Sequence, residues 1–135
     1  MSDPARVVTL AAGVADAILR HARAEAPREC CGLLIGTRAR VDEAAPTRNV
    51  DPHRARYRID PAEHIRWNRT LRHSGRAVIG AYHSHPATPA EPSPSDIAEA
   101  HYPEFVYVIV SLMEPAPALR AFRIADGAVA PLLIG

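Results

Sequence analysis

The chain has 135 residues, of which 47% are hydrophobic and 23% are charged. This length and apolar content predict one globular domain covering residues 1–135. Sixteen basic and fifteen acidic residues leave a net charge of +1, so no overall electrostatic field favours nucleic acid or a membrane surface as a partner.

The composition also narrows the chemistry and the cellular setting. Every basic residue is arginine, which excludes a catalytic Schiff-base lysine. The first residues lack the charged and apolar regions of a signal peptide, and the longest apolar runs are far shorter than a membrane span. Adjacent Cys30 and Cys31 fit neither a disulfide framework nor a zinc knuckle. We therefore expect a soluble, cytoplasmic protein.

The first part of the chain predicts a helix followed by strands. Apolar residues recur at three- and four-residue steps over residues 10–26, which predicts an amphipathic helix that Pro27 ends. The apolar run 29–36 predicts a buried strand with the carboxylate of Glu29 at its start. Residues 40–47 predict a second strand, residues 49–56 a loop and residues 57–59 a brief strand.

The middle of the chain predicts two helices around a strand. Asp60, Pro61 and Glu63 supply a cap, a first-turn proline and an acid three residues after the cap, which predicts a helix over residues 60–73. Residues 77–82 predict a strand that carries His83 and His85 at its C-terminal end. Residues 93–96 open a short third helix.

The last part of the chain predicts three strands, at residues 105–112, 119–124 and 129–134, with turn residues such as Pro115 and Gly127 between them. Helices interleaved with strands, followed by a run of strands, predict a mixed α/β fold of the α+β type. We expect a curved mixed β-sheet flanked by helices.

Two imidazoles and a carboxylate occur close together in the sequence, at His83, His85 and Asp96. Because side chains alternate along a strand, both imidazoles point to the same face. Three nitrogen and oxygen ligands, with a fourth position left to water, describe a catalytic zinc site. A simpler interpretation stays open: two exposed histidines at a strand end, and a helix cap running from Ser93 to Asp96.

A longer pattern of residues resembles the signature of one protein family. Glu29, then His83-Ser84-His85, seven residues, Ser93 and Asp96 resemble the Glu…His-Ser-His-x7-Ser-x2-Asp signature of the JAMM metalloproteases. These are the active branch of the Mov34/MPN/PAD-1 family. The run 27–36 resembles the first signature of that family. The resemblance covers nearly the whole chain and implies the cytidine-deaminase-like MPN/JAMM fold.

The resemblance also implies roles for these residues. His83, His85 and Asp96 would bind Zn²⁺, and Glu29 would act as general base and then as general acid on the attacking water. Ser93 would donate to the developing oxyanion, a role that competes with its use as a helix cap. The alternative for Glu29 is a strand-edge acid in water.

The implied activity is that of a small stand-alone prokaryotic member of the family. Such a metallopeptidase hydrolyses the amide or isopeptide bond after the C-terminal Gly-Gly tail of a small ubiquitin-like or sulfur-carrier protein, with the tail bound as an added strand. The chain lacks the second Cys/His cluster and the long insertion of polyubiquitin-linkage specialists. A non-catalytic MPN scaffold and a zinc hydrolase of small amides remain alternatives.

Two further features carry weaker predictions. Half of the arginines lie between Arg48 and Arg76, a stretch with only three acids; this predicts either a basic face for an acidic protein partner or a solvated helix face. Cys30 and Cys31 are expected to pack as small hydrophobic residues rather than to bind metal or act as nucleophiles.

Overall fold

The strands form a sheet that closes on itself. The computed structural model describes residues 6–113 and 117–135, so the predicted turn residue Pro115 lies outside the described residues. The elements are β1 (Val7–Leu10), α1 (Val14–Glu25), β2 (Cys31–Thr37), β3 (Arg40–Thr47), α2 (Pro61–Leu71), β4 (Ala77–His85), α3 (Pro94–Ala98), β5 (Val106–Ser111), β6 (Ala118–Ala125) and β7 (Ala128–Ile134).

The strand order is β1-β3-β2-β4-β5-β6-β7, and β1 closes the barrel by pairing with both β3 and β7. Those two pairings and β4 with β5 are parallel, while the other neighbours are antiparallel. The mixed α/β fold is therefore confirmed. None of the helices in the described ranges is long and apolar enough to cross a membrane.

The prediction of a helix over residues 10–26 was wrong at its start. Residues Val7–Leu10 form strand β1, and the helix begins only at Val14. Gly13 adopts a left-handed conformation with φ of 88°, which a helix cannot continue through. The apolar residues of β1 meet their partners in β3 and β7, a long-range pairing that helical periodicity cannot reveal.

Other boundaries moved by a few residues. Strand β2 begins at Cys31, so Glu29 precedes the strand instead of opening it. The brief strand predicted over residues 57–59 is reduced to a single bridge between Asn49 and Ile59. Strand β4 continues through His85 because His85 pairs with Ser111 of β5.

The two faces of β4 meet different parts of the molecule: one packs beneath α1, and the other carries the histidines. Tyr82 is buried in the core beneath α1, together with Ile18 and Ala22, and its hydroxyl lies 2.8 Å from Nδ1 of His21. A Cβ at Gly32, opposite Tyr82, would come within 2.3 Å of the tyrosine ring, so only glycine fits there. Since side chains alternate along a strand, His83 points to the face away from α1.

Ser84 links strands β2 and β4 beside the histidines. It is fully buried, its Oγ accepts a hydrogen bond from the backbone N–H of Cys30 at 2.8 Å, and its own N–H donates to the carbonyl of Cys30 at 3.1 Å. These two bonds extend the pairing of the strands to the residue next to Glu29.

Replacing Ser84 by alanine should leave the N–H of Cys30 buried without that acceptor, at a cost of about 1–3 kcal/mol in the free energy of unfolding. The measurement is urea denaturation of the metal-free protein. Ser74→Ala is the matched control: it also removes a serine Oγ that accepts a backbone N–H, that of Arg76 at 3.1 Å, but at an exposed position. The control should stay within about 0.5 kcal/mol of wild type, and an equal loss in both variants would contradict the account.

Candidate metal centre

Four acidic and imidazole side chains that are distant in sequence meet in one buried cluster. Glu29, His83, His85 and Asp96 each offer one ligand atom, and these atoms all lie within 4.8 Å of one another. All four residues are at most 8% exposed. The structure therefore brings together the four residues that the sequence pattern connects, and the interpretation of His83 and His85 as exposed histidines is wrong.

Each residue is held by a different element. Strand β4 carries the two histidines, and the first turn of α3 carries Asp96. Glu29 lies in the segment before β2, where its N–H donates to the carbonyl of Arg54 at 3.3 Å and its carbonyl accepts from Nδ2 of Asn49 at 3.0 Å. Main-chain hydrogen bonds therefore hold Glu29 in place, and Oε1 of its carboxylate has no hydrogen-bond partner among the described residues.

Three of the polar atoms form a nearly equilateral triangle. Nε2 of His83 and Nε2 of His85 are 3.1 Å apart, and each is 3.0 Å from Oδ2 of Asp96. Ligands about 2.0–2.1 Å from a tetrahedral zinc ion lie roughly 3.3 Å from one another. Both the donor set and its spacing fit zinc.

Neighbouring groups orient these three donors. Nδ1 of His85 lies 2.8 Å from the carbonyl of Pro89, which requires a proton on Nδ1 and leaves the lone pair of Nε2 for a metal. Oδ2 of Asp96 also accepts from the N–H of Ser93 at 2.9 Å.

Burial and mutual contact shift the ionisation of the three donors. Burial opposes ionisation of Asp96, but the hydrogen bonds from His83 and His85 outweigh it, so the pKa of Asp96 lies below its ordinary value. Burial lowers the pKa of His83 and therefore favours the neutral imidazole that binds metals. For His85, burial is outweighed by Asp96 and Pro89, and its pKa is raised. A metal ion would replace the proton that these donors share.

Glu29 differs from the other three residues. Its Oε1 is buried and has no hydrogen-bond partner among the described residues. Burial, aided by the nearby charges of Asp96 and Asp51 and opposed by His85, raises the pKa of Glu29 to about 7. A buried polar atom without a partner calls for a functional explanation. A carboxylate with a raised pKa beside a metal site is suited to exchange protons with a bound water.

Ser93 is engaged in the helix cap that the sequence also predicts. Its Oγ accepts from the N–H of Asp96 at 3.1 Å, while the N–H of Ser93 bonds to the carboxylate of Asp96, which completes a capping box. Oγ of Ser93 lies 3.2 Å from Oγ of Ser95. Because the cap uses Ser93 as an acceptor, its hydroxyl proton is left to donate elsewhere.

Tyr57 belongs to the site but was missed from the sequence. Its ring stacks on the imidazole of His83 with centroids 4.1 Å apart and planes 17° from parallel, which restricts the rotation of that ligand. Tyr57 lies 26 residues from His83 in an irregular segment. The only sequence signal was its place in the short apolar stretch before α2.

A cleft opens beside the cluster, with a volume of about 440 Å³. Its lining includes the segment from Arg56 to Ile59, which leads into α2, together with Asp96 of α3 and Glu99, which follows α3. Aromatic residues, among them Tyr102 and Phe105, also line it. The cleft is therefore large enough for a short extended peptide next to the metal ligands.

The two cysteines lie outside this cluster of donors. Both are buried, and burial raises the pKa of Cys30 to about 11 and that of Cys31 to about 12. At neutral pH both are thiols, which neither bind metal nor attack carbonyls well.

Comparison with known proteins agrees with this geometry. Residues 11–125 match the family described as prokaryotic homologs of the JAB domain. The chain is 36% identical over 126 residues to the CysO-cysteine peptidase of Mycobacterium tuberculosis, covering 91% of this chain and 86% of that protein. It is 40% identical over 111 residues to the desampylase of Haloferax volcanii, covering 77% and 80% of the two chains.

A solved structure is similar over nearly the full length. The solution structure of a protein from Desulfitobacterium hafniense superposes with a TM-score of 0.86 at 36% identity, covering 95% of this chain and 91% of that one. The family match spans most of the chain and includes all four residues of the cluster. The chain therefore belongs to the family of prokaryotic homologues of the JAB domain.

Proposed function

We propose that this chain is a zinc-dependent peptidase, with residues 1–135 acting as one catalytic domain. Its substrate is the amide or isopeptide bond after the Gly-Gly tail of a small ubiquitin-like or sulfur-carrier protein. The observation that carries the proposal is the partnerless Oε1 of Glu29 beside three converging metal ligands. Relatives named for cleaving CysO-cysteine and TtuB-protein conjugates support the substrate class.

The four residues of the cluster have two different roles in the proposed reaction. His83, His85 and Asp96 would hold the zinc ion, which when bound lowers the pKa of a water ligand and polarises a substrate carbonyl. Glu29 takes a proton from the water that attacks the carbonyl carbon. As the carbon–nitrogen bond breaks, Glu29 delivers that proton to the departing nitrogen, which leaves as a neutral amine. Burial raises the pKa of Glu29, which favours the uptake of a proton by its carboxylate and the later use of that proton as an acid.

Ser93 has a supporting role in this proposal. Its hydroxyl proton, which the helix cap does not use, would donate to the carbonyl oxygen as negative charge develops there. Removing a comparable oxyanion donor from other hydrolases costs about 2.7–4 kcal/mol in the activation barrier.

The segment beside the cleft offers an edge for an extended tail. The N–H and carbonyl of Arg58 face Asn49 and Val50, through bonds of 3.0 and 2.9 Å. In extended backbone the groups of the flanking residues, Tyr57 and Ile59, then face the other way. Neither makes a backbone hydrogen bond within the described ranges. A Gly-Gly tail could pair with this edge as an added strand, and glycines fit beside the stacked ring of Tyr57.

Glu29→Gln should abolish turnover while retaining the metal. The amide keeps the size of the side chain but cannot take up a proton, so kcat should fall by about 10²–10⁴. The assay is hydrolysis of a peptide whose C-terminal Gly-Gly is joined to a fluorogenic amine, with zinc content measured on the same sample. Glu25→Gln, an exposed acid on α1, is the control and should match wild type. Full turnover by Glu29→Gln would contradict the assigned role.

His83→Ala should instead weaken the metal site itself. Loss of a direct ligand should reduce zinc affinity by more than the 10–100-fold typical of an outer hydrogen-bond partner. Competition with a chromophoric chelator measures this affinity. His101→Ala removes an imidazole that is 69% exposed and paired with Glu99, and it should bind zinc like wild type. Unchanged affinity in His83→Ala would exclude the proposed site, whereas a zinc-loaded wild type inactive on all Gly-Gly conjugates would favour a non-catalytic scaffold.

A further inference from the structure

Three exposed arginines lie at alternate positions beside the cleft: Arg54, Arg56 and Arg58, here called the rim arginines. Arg56 and Arg58 line the cleft, and the carbonyl of Arg54 accepts the N–H of Glu29. No ion pair joins a rim arginine to an acid within the described ranges, whereas elsewhere an arginine pairs with an acid in Arg40–Asp42, Arg76–Glu43 and Arg120–Glu91.

The carboxylates nearest in sequence accept hydrogen bonds from backbone N–H groups. Asp51 accepts the N–H of His53 at 2.8 Å, Asp60 caps α2 through the N–H of Ala62, and Glu63 accepts the N–H of Arg48 at 2.7 Å. These contacts hold the loop and the helix start in place, and none of these three carboxylates forms an ion pair with a rim arginine within the described ranges. Residues 51–58 carry three arginines and one acid, Asp51, so this stretch beside the cleft is net positive although the whole chain is nearly neutral. Asp96 and Glu99 contribute negative charge to other parts of the lining.

The rim arginines lie where the side chains of a bound tail would pass. Arg56 and Arg58 flank Tyr57, are exposed and line the cleft, whereas the ring of Tyr57 stacks on the buried imidazole of His83. A strand added at the edge of Tyr57 and Ile59 would place its solvent-facing side chains next to Arg56 and Arg58. Acidic side chains at those positions would form ion pairs with the two guanidinium groups.

We propose that the rim arginines select substrates with acidic side chains just ahead of the Gly-Gly tail, which makes the partner an acidic ubiquitin-like protein. This inference rests on the proposed function and extends it to the choice of carrier. Exposed ion pairs are individually weak, so two of them should give roughly a two- to thirtyfold preference for an acidic over a neutral tail.

The test uses two fluorescently labelled dodecapeptides ending in Gly-Gly, one with four glutamates before the glycines and one with four glutamines. Fluorescence anisotropy measures their binding to the zinc-loaded protein, so the result does not depend on turnover. The acidic peptide should bind about tenfold tighter at low salt, with the preference shrinking at high salt because exposed charges are screened. The double variant Arg56→Glu, Arg58→Glu should lose or reverse the preference.

A matched control makes the same charge change elsewhere. Arg20 and Arg23 are exposed on α1, which packs on the face of β4 that carries Tyr82, away from the cleft. Arg20→Glu, Arg23→Glu should therefore keep the wild-type preference. Hydrolysis of the neutral peptide as a fluorogenic amide is measured in parallel. The Arg20→Glu, Arg23→Glu variant should keep the wild-type kcat, and absence of hydrolysis by the wild type would count against the proposed function alone.

The inference is overturned by equal binding of the two peptides, by failure of both to bind, or by a preference that survives Arg56→Glu, Arg58→Glu. Single-stranded dT12 serves as a further competitor of high negative charge. Binding of dT12 as tight as that of the acidic peptide would point to a nucleic acid partner and would also overturn it.

Discussion

The pairing of β2 with β4 is the constraint on which the rest of the site depends. Its register places Cys31 opposite His83, and the two hydrogen bonds between Cys30 and Ser84 extend it by one residue. This extension fixes the backbone directly beside Glu29. The proposed general base, Glu29, and two of the proposed metal ligands are therefore held by one antiparallel contact, even though 54 residues separate Glu29 from His83. Such fixed geometry is what a catalytic site requires of its scaffold.

The fold also supports a cluster that would be unfavourable alone. Two imidazole nitrogens, a carboxylate oxygen of Asp96 and Oε1 of Glu29, which has no partner among the described residues, lie within one buried region. Burying such groups costs free energy unless they are paired or bind a metal. The closed sheet, the capping box of α3 and the stacked ring of Tyr57 hold the side chains together. A bound cation would offset the cost by neutralising the carboxylates.

Local signals in the sequence predicted the helices and most strands, whereas Glu29 was connected with His83, His85 and Asp96 only through the resemblance to the JAMM signature. Capping residues marked α2 and α3, and the period-two placement of His83 and His85 required that they share a face. Strand β1, the role of Ser84 and the stacking of Tyr57 were missed, since each depends on a partner far along the chain. The rim arginines were visible only as a basic stretch, and the structure was needed to place Arg56 and Arg58 beside the cleft.

The most direct test of the central claim is a crystal structure of the protein grown with zinc, with anomalous diffraction recorded on both sides of the zinc absorption edge. The account predicts one strong peak within about 2.0–2.2 Å of Nε2 of His83, Nε2 of His85 and an oxygen of Asp96, with Glu29 facing the open coordination position. A peak ligated by Cys30 or Cys31, or a site that stays empty at saturating zinc, would contradict it.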